Sequence, residues 1–464
     1  MSLHHARVLI VGLGVSGEAA AVLCASRGAS VTISDTRGPD ELAPAIERLA
    51  HLPISYRLGT EPPRSTDDTL IIRSPGVPRE LPVFLDAHQR GVPVWSEIEL
   101  GAVICPGRIT TAITGTNGKS TTTILIGDLM RAAGHTVHVA GNIGHPFTAA
   151  IQHMAAADAA VIEVSAAQLQ DCHRFAPRIA VLTNIRHEHM NRYTWDQYVA
   201  AKARIVHNHT DANATVANHD DEVCRQIAGP APGRTLYFST QGALPAGKEG
   251  VFCERGAVVA LLNDVRTVVC QRREVEVPGA LPNVMVMVAV GLLEGIPMDV
   301  IRGVATTYAG REHVIEYVTT GAGVDYYNDS KATNPWSTIH ALDALSERPI
   351  VLITGGKDDK QADIGPLAAA LPDRVRHLIT LGQTGPRTAA TAAAHGMTAI
   401  TGTTGLAEAV ACAAGLAKPG DVVLFSPGAN SKDMFLDHRT RGTLFKQQVY
   451  RLLAPEREPS PTGR

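Results

Sequence analysis

The sequence lacks an excess of charge of either sign. Its 42 Lys and Arg residues nearly balance its 45 Asp and Glu residues, which gives a formal net charge of −3. A large basic surface of the kind that binds nucleic acid is therefore not expected, and we predict no nucleic-acid partner. With 45% hydrophobic and 19% charged residues, the composition is that of a soluble globular protein.

Paired cysteines and long apolar runs are also missing. The seven cysteines are dispersed and include no C-x-x-C pair, which favours reduced thiols over a disulfide framework or a zinc site. The longest apolar run, near residues 284–293, is too short to cross a bilayer. The N-terminus enters a predicted strand without the features of a signal peptide. We therefore expect a cytoplasmic protein with no membrane partner.

The most informative segment of the chain is a glycine-rich loop in its first third. An apolar strand leads into Gly115–Ser120, and a predicted helix follows. The glycines let backbone N–H groups turn toward an anion, and the helix N-terminus adds partial positive charge. Lys119 would neutralise phosphate oxygens, and the Ser120 hydroxyl would ligate Mg²⁺. The residues predicted to bind ATP here are Gly115, Thr116, Asn117, Gly118, Lys119, Ser120 and Thr121.

A second glycine-rich turn lies near the N-terminus. Gly12, Gly14 and Gly17 match G-x-G-x-x-G between a predicted strand and helix, and Asp35 ends the next strand. This pattern is typical of a dinucleotide site, although another nucleotide diphosphate or tight helix–strand packing would need the same glycines. A nicotinamide enzyme would not need a further phosphate loop. The two turns fit better as one site for a nucleotide-carried substrate and one for ATP.

Further polar residues in the middle of the chain allow two interpretations each. Glu163 ends an apolar strand and either reaches Mg²⁺ held by phosphates or is a capping or ion-paired acid. His187 and His189 flank Glu188 and either ligate metal or belong to a polar loop, which is the commoner fate. For Lys202, on a predicted helix, its own segment favours a solvated surface lysine.

Strands alternate with helices in three successive units, which predicts an α/β fold with parallel sheets. We expect a Rossmann-like N-terminal domain at 1–104, a central phosphate-loop NTPase-like domain at 105–308 and a Rossmann-like C-terminal domain at 309–464. Short strands between about residues 208 and 277 favour an antiparallel or mixed appendage. The other predicted strands are Arg7–Val11, Ser30–Ser34, Thr69–Arg73, Val92–Trp95, Val137–Ala140, Ala159–Val164, Ile179–Thr183, Val324–Tyr327, Ile350–Thr354, His377–Leu381 and Val422–Phe425.

Ten short motifs stand in the order in which the Mur ligase family carries them, and the chain resembles that family over almost its whole length. The motifs are Gly12–Gly17 with Asp35–Arg37, Ser74–Gly76, Gly115–Ser120, Gly141–Gly144, Glu163–Ser165, His189–Tyr193, Lys202–Ile205, Asn328–Asn334, Gly355-Gly356 and Ser426-Pro427. The resemblance implies a monomeric, ATP-dependent ligase that makes a peptidoglycan precursor. It would join D-glutamate to UDP-N-acetylmuramoyl-L-alanine through an acyl phosphate.

The resemblance also implies which residues contact the substrates. The N-terminal domain would bind the UDP part, the central domain ATP and the C-terminal domain the incoming amino acid. The residues expected to contact the UDP-linked substrate are Ser16, Asp35, Thr36 and Asn142. Those expected near the adenosine of ATP are Asn283 and Asp329. Those expected to line the amino-acid site are Lys331, Thr333, Lys360 and Ser431.

Catalytic roles are implied for Lys119, Glu163, His189 and Lys202. In the family pattern Lys202 would be carbamylated by CO₂, since an ammonium cannot ligate Mg²⁺ whereas a carbamate can, as an extended carboxylate. The set implied to hold two Mg²⁺ ions consists of Ser120, Glu163, His189 and carbamylated Lys202.

The chain departs from the family pattern at several positions. Val314 stands where an arginine usually reaches the ATP phosphates, with Arg311 close by. Asn430, Lys432 and His438 replace small, apolar and aromatic residues of the last motif. These changes leave open a sister ligase that uses L-glutamate or another amino acid. A nicotinamide-dependent oxidoreductase and a catalytically idle relative are the alternatives from other classes.

Overall fold

The structure is a computed structural model that describes residues 3–64 and 67–454. The chain divides into two compact units, of which the first holds two β-sheets and the second holds one. The first unit consists of Met1–Ile185, Trp195–Glu274 and Pro282–Thr307, and the second of Arg186–Thr194, Val275–Leu281 and Tyr308–Arg464.

The first sheet of the first unit is entirely parallel. Its strands are β1 (Arg7–Val11), β2 (Ser30–Asp35), β3 (Ile54–Leu58), β4 (Leu70–Arg73) and β5 (Val94–Trp95). The helices between and after them are α1 (Val15–Ser26), α2 (Pro39–Leu49), α3 (Pro82–Gln89) and α4 (Glu97–Ile104). The strand order β3-β2-β1-β4-β5 reverses beside β1, which confirms the Rossmann-like prediction.

The second sheet of the first unit has nine strands. They are β6 (Arg108–Thr114), β7 (Val137–Gly141), β8 (Ala159–Glu163), β9 (Ile179–Leu182), β10 (Ala214–Asn218), β11 (Arg234–Ser239), β12 (Glu249–Glu254), β13 (Ala257–Leu262) and β14 (Val265–Gln271). In the order β14-β13-β12-β11-β10-β9-β6-β8-β7, the pairs β12–β13 and β13–β14 are antiparallel and the other pairs are parallel. The predicted mixed direction is confirmed. The predicted appendage is wrong, because β10 pairs with β9 and continues the central sheet.

Seven α-helices accompany the central sheet. They are α5 (Lys119–Ala132), α6 (Phe147–Ala150), α7 (Ala166–Leu169), α8 (Trp195–Ala203), α9 (Glu222–Ala228), α10 (Leu281–Leu293) and α11 (Met298–Thr307). The apolar run predicted to be too short for a membrane lies in α10, where residues 284–291 are buried. Within the described ranges, none of the helices has the length and apolar character needed to cross a bilayer. All seven cysteines are described, and each is in the reduced form.

The second unit contains a six-stranded sheet covered on both faces. Its strands are β15 (Glu316–Gly321), β16 (Val324–Asn328), β17 (Ile350–Thr354), β18 (Val375–Thr380), β19 (Ile400–Gly402) and β20 (Val422–Phe425). Its helices are α12 (Pro335–Ala344), α13 (Gly365–Ala370), α14 (Gly385–Ala394), α15 (Leu406–Leu416) and α16 (His438–Leu453). The order is β15-β16-β20-β17-β18-β19, with only β15 antiparallel. Successive residues of β17, Val351 and Leu352, enter different apolar clusters, as alternating side chains of a two-sided sheet must.

A buried ion pair joins the two sheets of the first unit. Arg73, at the end of β4, donates Nε–H to Oδ2 of Asp171 at 2.5 Å, and the two side chains are 3% and 0% exposed. The Arg73 guanidinium also donates to the carbonyls of Val77 and Ala167. Arg79 approaches the other Asp171 oxygen at 3.1 Å. Because the charges are buried together, loss of one partner leaves the other uncompensated in a medium of low dielectric constant.

We expect Asp171→Asn to lower the free energy of unfolding of the first unit by about 3 kcal/mol, since it leaves the buried Arg73 without an opposite charge. Urea denaturation of the full chain measures this difference. The matched control is Asp86→Asn, which breaks a surface pair with Arg90 and should cost less than about 1 kcal/mol. Equal losses in the two variants would show that the Arg73–Asp171 pair contributes no more than a surface pair.

Candidate active site

The phosphate loop lies where the strand order of the central sheet reverses. β6 is flanked by β8 on one side and β9 on the other, all parallel, so their carboxyl ends form one edge with a crevice at β6. β6 ends at Thr114, and α5 begins at Lys119 directly after Gly118. The predicted order of strand, glycine-rich loop and helix is confirmed.

Two residues that follow β9 hold the loop in place. Gly115 has φ +151°, and a Cβ there would lie 1.9 Å from Oγ1 of Thr183, so only glycine fits. Thr183 Oγ1 donates to the carbonyl of Asn117 at 2.7 Å. The side-chain amide of Asn184 accepts from the backbone N–H of Asn117 at 2.9 Å, and its carbonyl accepts from that of Thr116 at 2.7 Å. The sequence analysis missed both residues, although their place at the end of a strand was a usable signal.

Two lysine ammonium groups converge on the carbonyl oxygen of Gly115. Lys119 Nζ donates to it at 2.9 Å and to the carbonyl of Thr116 at 2.7 Å. Lys202 Nζ donates to the same Gly115 oxygen at 2.7 Å. Lys202 is 1% exposed, and its Nζ lies 4.7 Å from the ring centroid of Tyr198. The surface-lysine interpretation of Lys202 is therefore wrong, because α8 turns this side chain toward the phosphate loop.

Glu163 presents a carboxylate oxygen that lacks a donor. It ends β8, pairs in register with Ile113 of β6 and is 2% exposed. Its Oε1 accepts from Nδ2 of Asn142 at 2.8 Å. Its Oε2 is buried and has no hydrogen-bond partner among residues 3–64 and 67–454. A buried carboxylate oxygen without a partner is costly, and a hard cation such as Mg²⁺ would satisfy it.

The structure does not support the alternative roles of Glu163 as a helix-capping acid or an ion-paired acid. Helix α7 is capped by Ser165, whose hydroxyl accepts from the backbone N–H of Gln168, with Gln168 completing a capping box. No salt bridge to Glu163 is formed within the described parts of the chain. These same parts contain no group of three or more His, Cys, Asp or Glu side chains that could hold a metal. A cation at Glu163 would thus need other ligands, such as hydroxyl or phosphate oxygens.

Other residues predicted to bind ATP surround the same loop. Ser120 is half-buried and Thr121 is buried, both in the first turn of α5. Asn283, on α10, donates Nδ2–H to the carbonyl of Gly118 at 3.1 Å and to Oγ1 of Thr122 at 2.9 Å. Asn283 is thereby placed at the loop, while Asp329, its predicted partner in binding adenosine, belongs to the second unit. The binding roles of these residues stay predictions.

The N-terminal glycine turn Gly12–Gly17 is shaped by Asp35. Oδ2 of Asp35 accepts from the backbone N–H of Leu13 at 2.7 Å, and Oδ1 accepts from that of Arg37 at 2.9 Å. The Arg37 guanidinium also pairs with Asp35 at 2.8 Å. Burial would raise the pKa of the Asp35 carboxyl, but these hydrogen bonds outweigh it and hold the pKa below its usual value. The other residues predicted to bind UDP in this domain are the half-buried Ser16 and the exposed Thr36.

In the second unit, a pocket opens at the carboxyl ends of β17 and β20, where that sheet also reverses its order. It comprises about 370 Å³ of empty space, including open solvent. Polar residues that line it include Thr333, Lys357, Lys360, Thr384 and Arg387. Two of the predicted amino-acid-binding residues, Thr333 and Lys360, are thus brought together. Lys331 and the buried Ser431 are not among the lining residues.

The segment Arg186–Thr194 belongs to this second unit. Glu188 accepts from Nζ of Lys360 at 2.9 Å and from Nδ2 of Asn334 at 3.1 Å. The neighbouring His189 has φ +60°, and its Nε2 lies 4.0 Å from Oε1 of Glu188. The metal-binding role of His189 stays a prediction.

Arg441 holds together two loops of this unit, and the sequence analysis missed it. Its guanidinium donates to the carbonyl of Ser330 at 2.8 Å and to that of Ala429 at 3.1 Å. Burial lowers the pKa of Arg441 to about 10, against the opposing charges of Asp433 and Asp329. The loops that carry Lys331 and Ser431 are therefore fixed by a single buried cation.

Asp329 is a buried acid next to these loops. Its Oδ2 accepts from Oγ of Ser426 at 2.7 Å, and its Oδ1 accepts from the backbone N–H of Ile315 at 3.2 Å. Burial raises the pKa of the Asp329 carboxyl to about 7, although both hydrogen bonds and the Arg441 charge oppose the rise. The folded protein therefore holds a proton on Asp329 at pH values where the unfolded chain has released it.

This difference predicts a pH-dependent stability. Because the pKa of Asp329 is raised in the folded state, its bound proton stabilises that state fully only below the unfolded-state pKa of about 3.9. This contribution to the free energy of unfolding is lost as the pH rises toward 7. We expect Asp329→Asn to remove this loss, so that between pH 5 and 8 its free energy of unfolding falls less than that of the wild type. The difference should be on the order of 2 kcal/mol. Urea denaturation at both pH values tests it, and parallel pH profiles would contradict it.

Comparison with known families reveals three matches along the chain. Residues 6–96 match the Mur ligase MurD-like, N-terminal domain. Residues 113–258 match the Mur ligase middle domain. Residues 313–428 match the Mur ligase, glutamate ligase domain. The first and third matches contain all strands of the first and third sheets, and the second contains β7 to β12 of the central sheet.

Several curated proteins are similar over nearly the whole length. The UDP-N-acetylmuramoylalanine--D-glutamate ligase of Pelotomaculum thermopropionicum is 38% identical over 450 residues, covering 96% of this chain and 98% of that protein. The ligase of the same name from Koribacter versatilis is 36% identical over 462 residues, covering 99% of this chain and 100% of that protein.

Solved structures with the same fold are more distant in sequence. The UDP-N-acetylmuramate-alanine ligase of Thermotoga maritima superposes with a TM-score of 0.57 at 17% identity, covering 97% of this chain and 100% of that chain. A bifunctional folylpolyglutamate synthase/dihydrofolate synthase with Mn, AMPPNP and L-glutamate bound gives a TM-score of 0.54 at 17% identity, covering 76% of this chain and 93% of that chain. At this identity the likeness establishes the fold alone.

Proposed function

The chain belongs to the Mur ligase family, and on that premise we propose that it joins D-glutamate to UDP-N-acetylmuramoyl-L-alanine at the expense of ATP. The name shared by its full-length relatives supports this activity. The observation that carries it is the convergence of the Lys119 and Lys202 ammonium groups on Gly115, at the turn from a strand into a helix. A site of this kind is built for a polyphosphate.

The reaction needs ATP because a carboxylate is a poor acylating agent, since its leaving group would be oxide. An oxygen of the alanyl carboxylate attacks the γ-phosphorus, the bond from that phosphorus to the bridging oxygen of ADP breaks, and an acyl phosphate forms. The amine of glutamate then adds to the carbonyl carbon, and the tetrahedral intermediate expels phosphate and loses a proton to give the amide. Lys119 offsets the charge on the transferred group. The remaining contribution of the protein is to align the reactants.

The residues at the loop fit a divalent cation. The donorless Oε2 of Glu163 is the observation that supports this, and carboxylate and hydroxyl oxygens are the ligands that Mg²⁺ prefers. We assign Ser120, Glu163 and carbamylated Lys202 as the residues of the first unit that would hold Mg²⁺, and the contribution of His189 to a pair of ions stays a prediction. Mg²⁺ supplies charge neutralisation at the phosphates when it is bound.

The environment of Lys202 favours its conversion to a carbamate. Two positive charges beside one carbonyl repel each other, and carbamylation replaces one of them by a negative charge. In that step the unprotonated Nζ forms a bond to the carbon of CO₂, and one proton is released to solvent. The hydrogen bond from Nζ to Gly115 shows that the nitrogen lies at the loop, where a carbamate oxygen would be useful.

The chain departs from the family pattern near the predicted amino-acid site. The identity of the amino acid is therefore the part of the proposal to test first. Asn430, next to the predicted Ser431, pairs its backbone with that of Lys357 in the wall of the pocket. A related ligase that uses L-glutamate or another amino acid is therefore the second candidate. The cytoplasmic location and the monomeric state stay predictions.

A phosphate-release assay with a panel of amino acids tests the activity. Purified protein with ATP, Mg²⁺ and UDP-N-acetylmuramoyl-L-alanine should release phosphate when D-glutamate is added, and much less with L-glutamate. Lys119→Ala should nearly abolish the release, because the charge on the transferring phosphoryl group would lose its partner. Release with a different amino acid would redirect the proposal to that substrate, and no release with any of them would indicate a catalytically idle relative.

The proposed carbamate at Lys202 leads to a separate prediction. Lys202→Ala should lower phosphate release at least about a hundredfold, as expected when a group that stabilises transition-state charge is lost. Short carboxylates such as acetate should partly restore the rate, because they can occupy the space of the missing carbamate. The control is Lys418→Ala, a lysine of the second unit outside the predicted sites, which should keep the wild-type rate and gain nothing from acetate. A Lys202→Ala variant that acetate fails to rescue would argue against the carbamate.

A further inference from the structure

We propose that Glu188 recognises the ammonium group of the incoming amino acid, as the counterpart of Lys360, which binds the carboxylate. This inference rests on the proposed function, which supplies an amino acid as the second substrate. It assigns a specificity-determining role to a residue that the sequence analysis had treated only as part of a polar loop.

Lys360, which lines the pocket, forms a partly buried pair with Glu188, which is not itself among the lining residues. Lys360 Nζ lies 2.9 Å from Oε1 of Glu188, and the side chains are 19% and 9% exposed. Lys360 lines the pocket together with Thr333, whose carbonyl lies 3.5 Å from the same Nζ. The carboxylate of Glu188 is thus held directly beside the ammonium group that is predicted to bind a carboxylate.

The position of Glu188 is fixed by its neighbours. Asn334 caps α12, since its Oδ1 accepts from the backbone N–H of Ser337 at 2.9 Å. Its Nδ2 is thereby directed to Glu188, to which it donates at 3.1 Å. Further along the same segment, Asn191 donates Nδ2–H to the carbonyl of Asp359 at 3.1 Å. Glu188 is therefore a preorganised acceptor, which lowers the entropy lost when a ligand binds.

The charge of this pair suits a zwitterion. Because Glu188 neutralises Lys360, a simple anion would meet little net attraction, whereas an amino acid carries both charges on one carbon. Its carboxylate can approach Lys360 while its ammonium approaches Glu188, so that four charges alternate in sign. Limited exposure reduces the screening of these contacts by salt. The contact also orients the nitrogen atom that later attacks the acyl phosphate.

Two other acids at the pocket have different partners. Asp358 pairs with Arg387 at 2.8 Å, and Asp359 accepts from Nδ2 of Asn430 at 2.6 Å. Neither of them is paired with a lysine that the sequence predicts to bind the amino acid. Glu188 is therefore the acid that lies directly beside the lysine predicted to bind the carboxylate of the amino acid.

The test compares D-glutamate with D-2-hydroxyglutarate, which keeps both carboxylates and carries a hydroxyl in place of the ammonium. In Glu188→Gln, the KM for D-glutamate should rise about ten- to hundredfold, the effect of losing one charge-assisted hydrogen bond. The inhibition constant of D-2-hydroxyglutarate and the KM values for ATP and the UDP-linked substrate should stay unchanged. Glu188→Asp, which retains the charge, should lie between the wild type and Glu188→Gln.

The matched control is Glu347→Gln, which removes an exposed acid of the same unit and should leave every constant unchanged. If Glu188→Gln weakens D-2-hydroxyglutarate as much as D-glutamate, or weakens neither, Glu188 has only a structural role and the inference fails. Should the wild type prefer another amino acid in the panel, that amino acid and its hydroxy analogue take the places of this pair. A wild type that is inactive with every amino acid would overturn the proposed function and this inference together.

Discussion

Two ammonium groups that share the carbonyl oxygen of Gly115 set the chemistry of the central domain. Lys119 is fixed because it begins α5 directly after the loop, and Lys202 because α8 buries it. Thr183 and Asn184, which follow β9, fix the glycine-rich loop by hydrogen bonds to its backbone. The positive charge of Lys119 is thus preorganised at the loop, and preorganised charge of this kind stabilises the charge that develops during a reaction.

One rule of sheet topology explains where each candidate site lies. In each sheet the strand order reverses beside a central strand, and the polar loops leave from the carboxyl ends at that point. In the N-terminal sheet, Ser74 Oγ donates to the carbonyl of Gly12 at 2.7 Å across the reversal. In the C-terminal sheet, the backbone N–H of Gly355 donates to the carbonyl of Pro427 at 2.9 Å. The three sheets therefore offer similar crevices, and the side chains in them decide which substrate each one fits.

The sequence predicted the buried strands well and the exposed ones poorly. β6, β8 and β17 are continuous apolar or buried runs that end in a polar loop, a pattern that local sequence reveals. β3 escaped prediction because its five residues alternate between partly buried and exposed at the edge of the sheet. The attachment of β10 to β9 could not be foreseen either, since strand pairing at that distance along the chain is decided by tertiary packing. Resemblance supplied the roles of individual residues, but no local pattern indicated Arg441.

One physical reason explains why the local sequence around Lys202 and Glu188 does not reveal that both side chains are largely buried. Each is a charged residue, for which a solvated position is the usual outcome. Burial of such a group costs several kcal/mol unless a partner compensates it. One partner of the buried Lys202 is the carbonyl of Gly115, and the ring of Tyr198 lies beside the same ammonium group. At the pair of Glu188 and Lys360, each side chain supplies the opposite charge for the other. The partners that compensate these buried charges come from segments distant along the chain, so the burial of Lys202 and Glu188 follows from tertiary packing and not from local sequence.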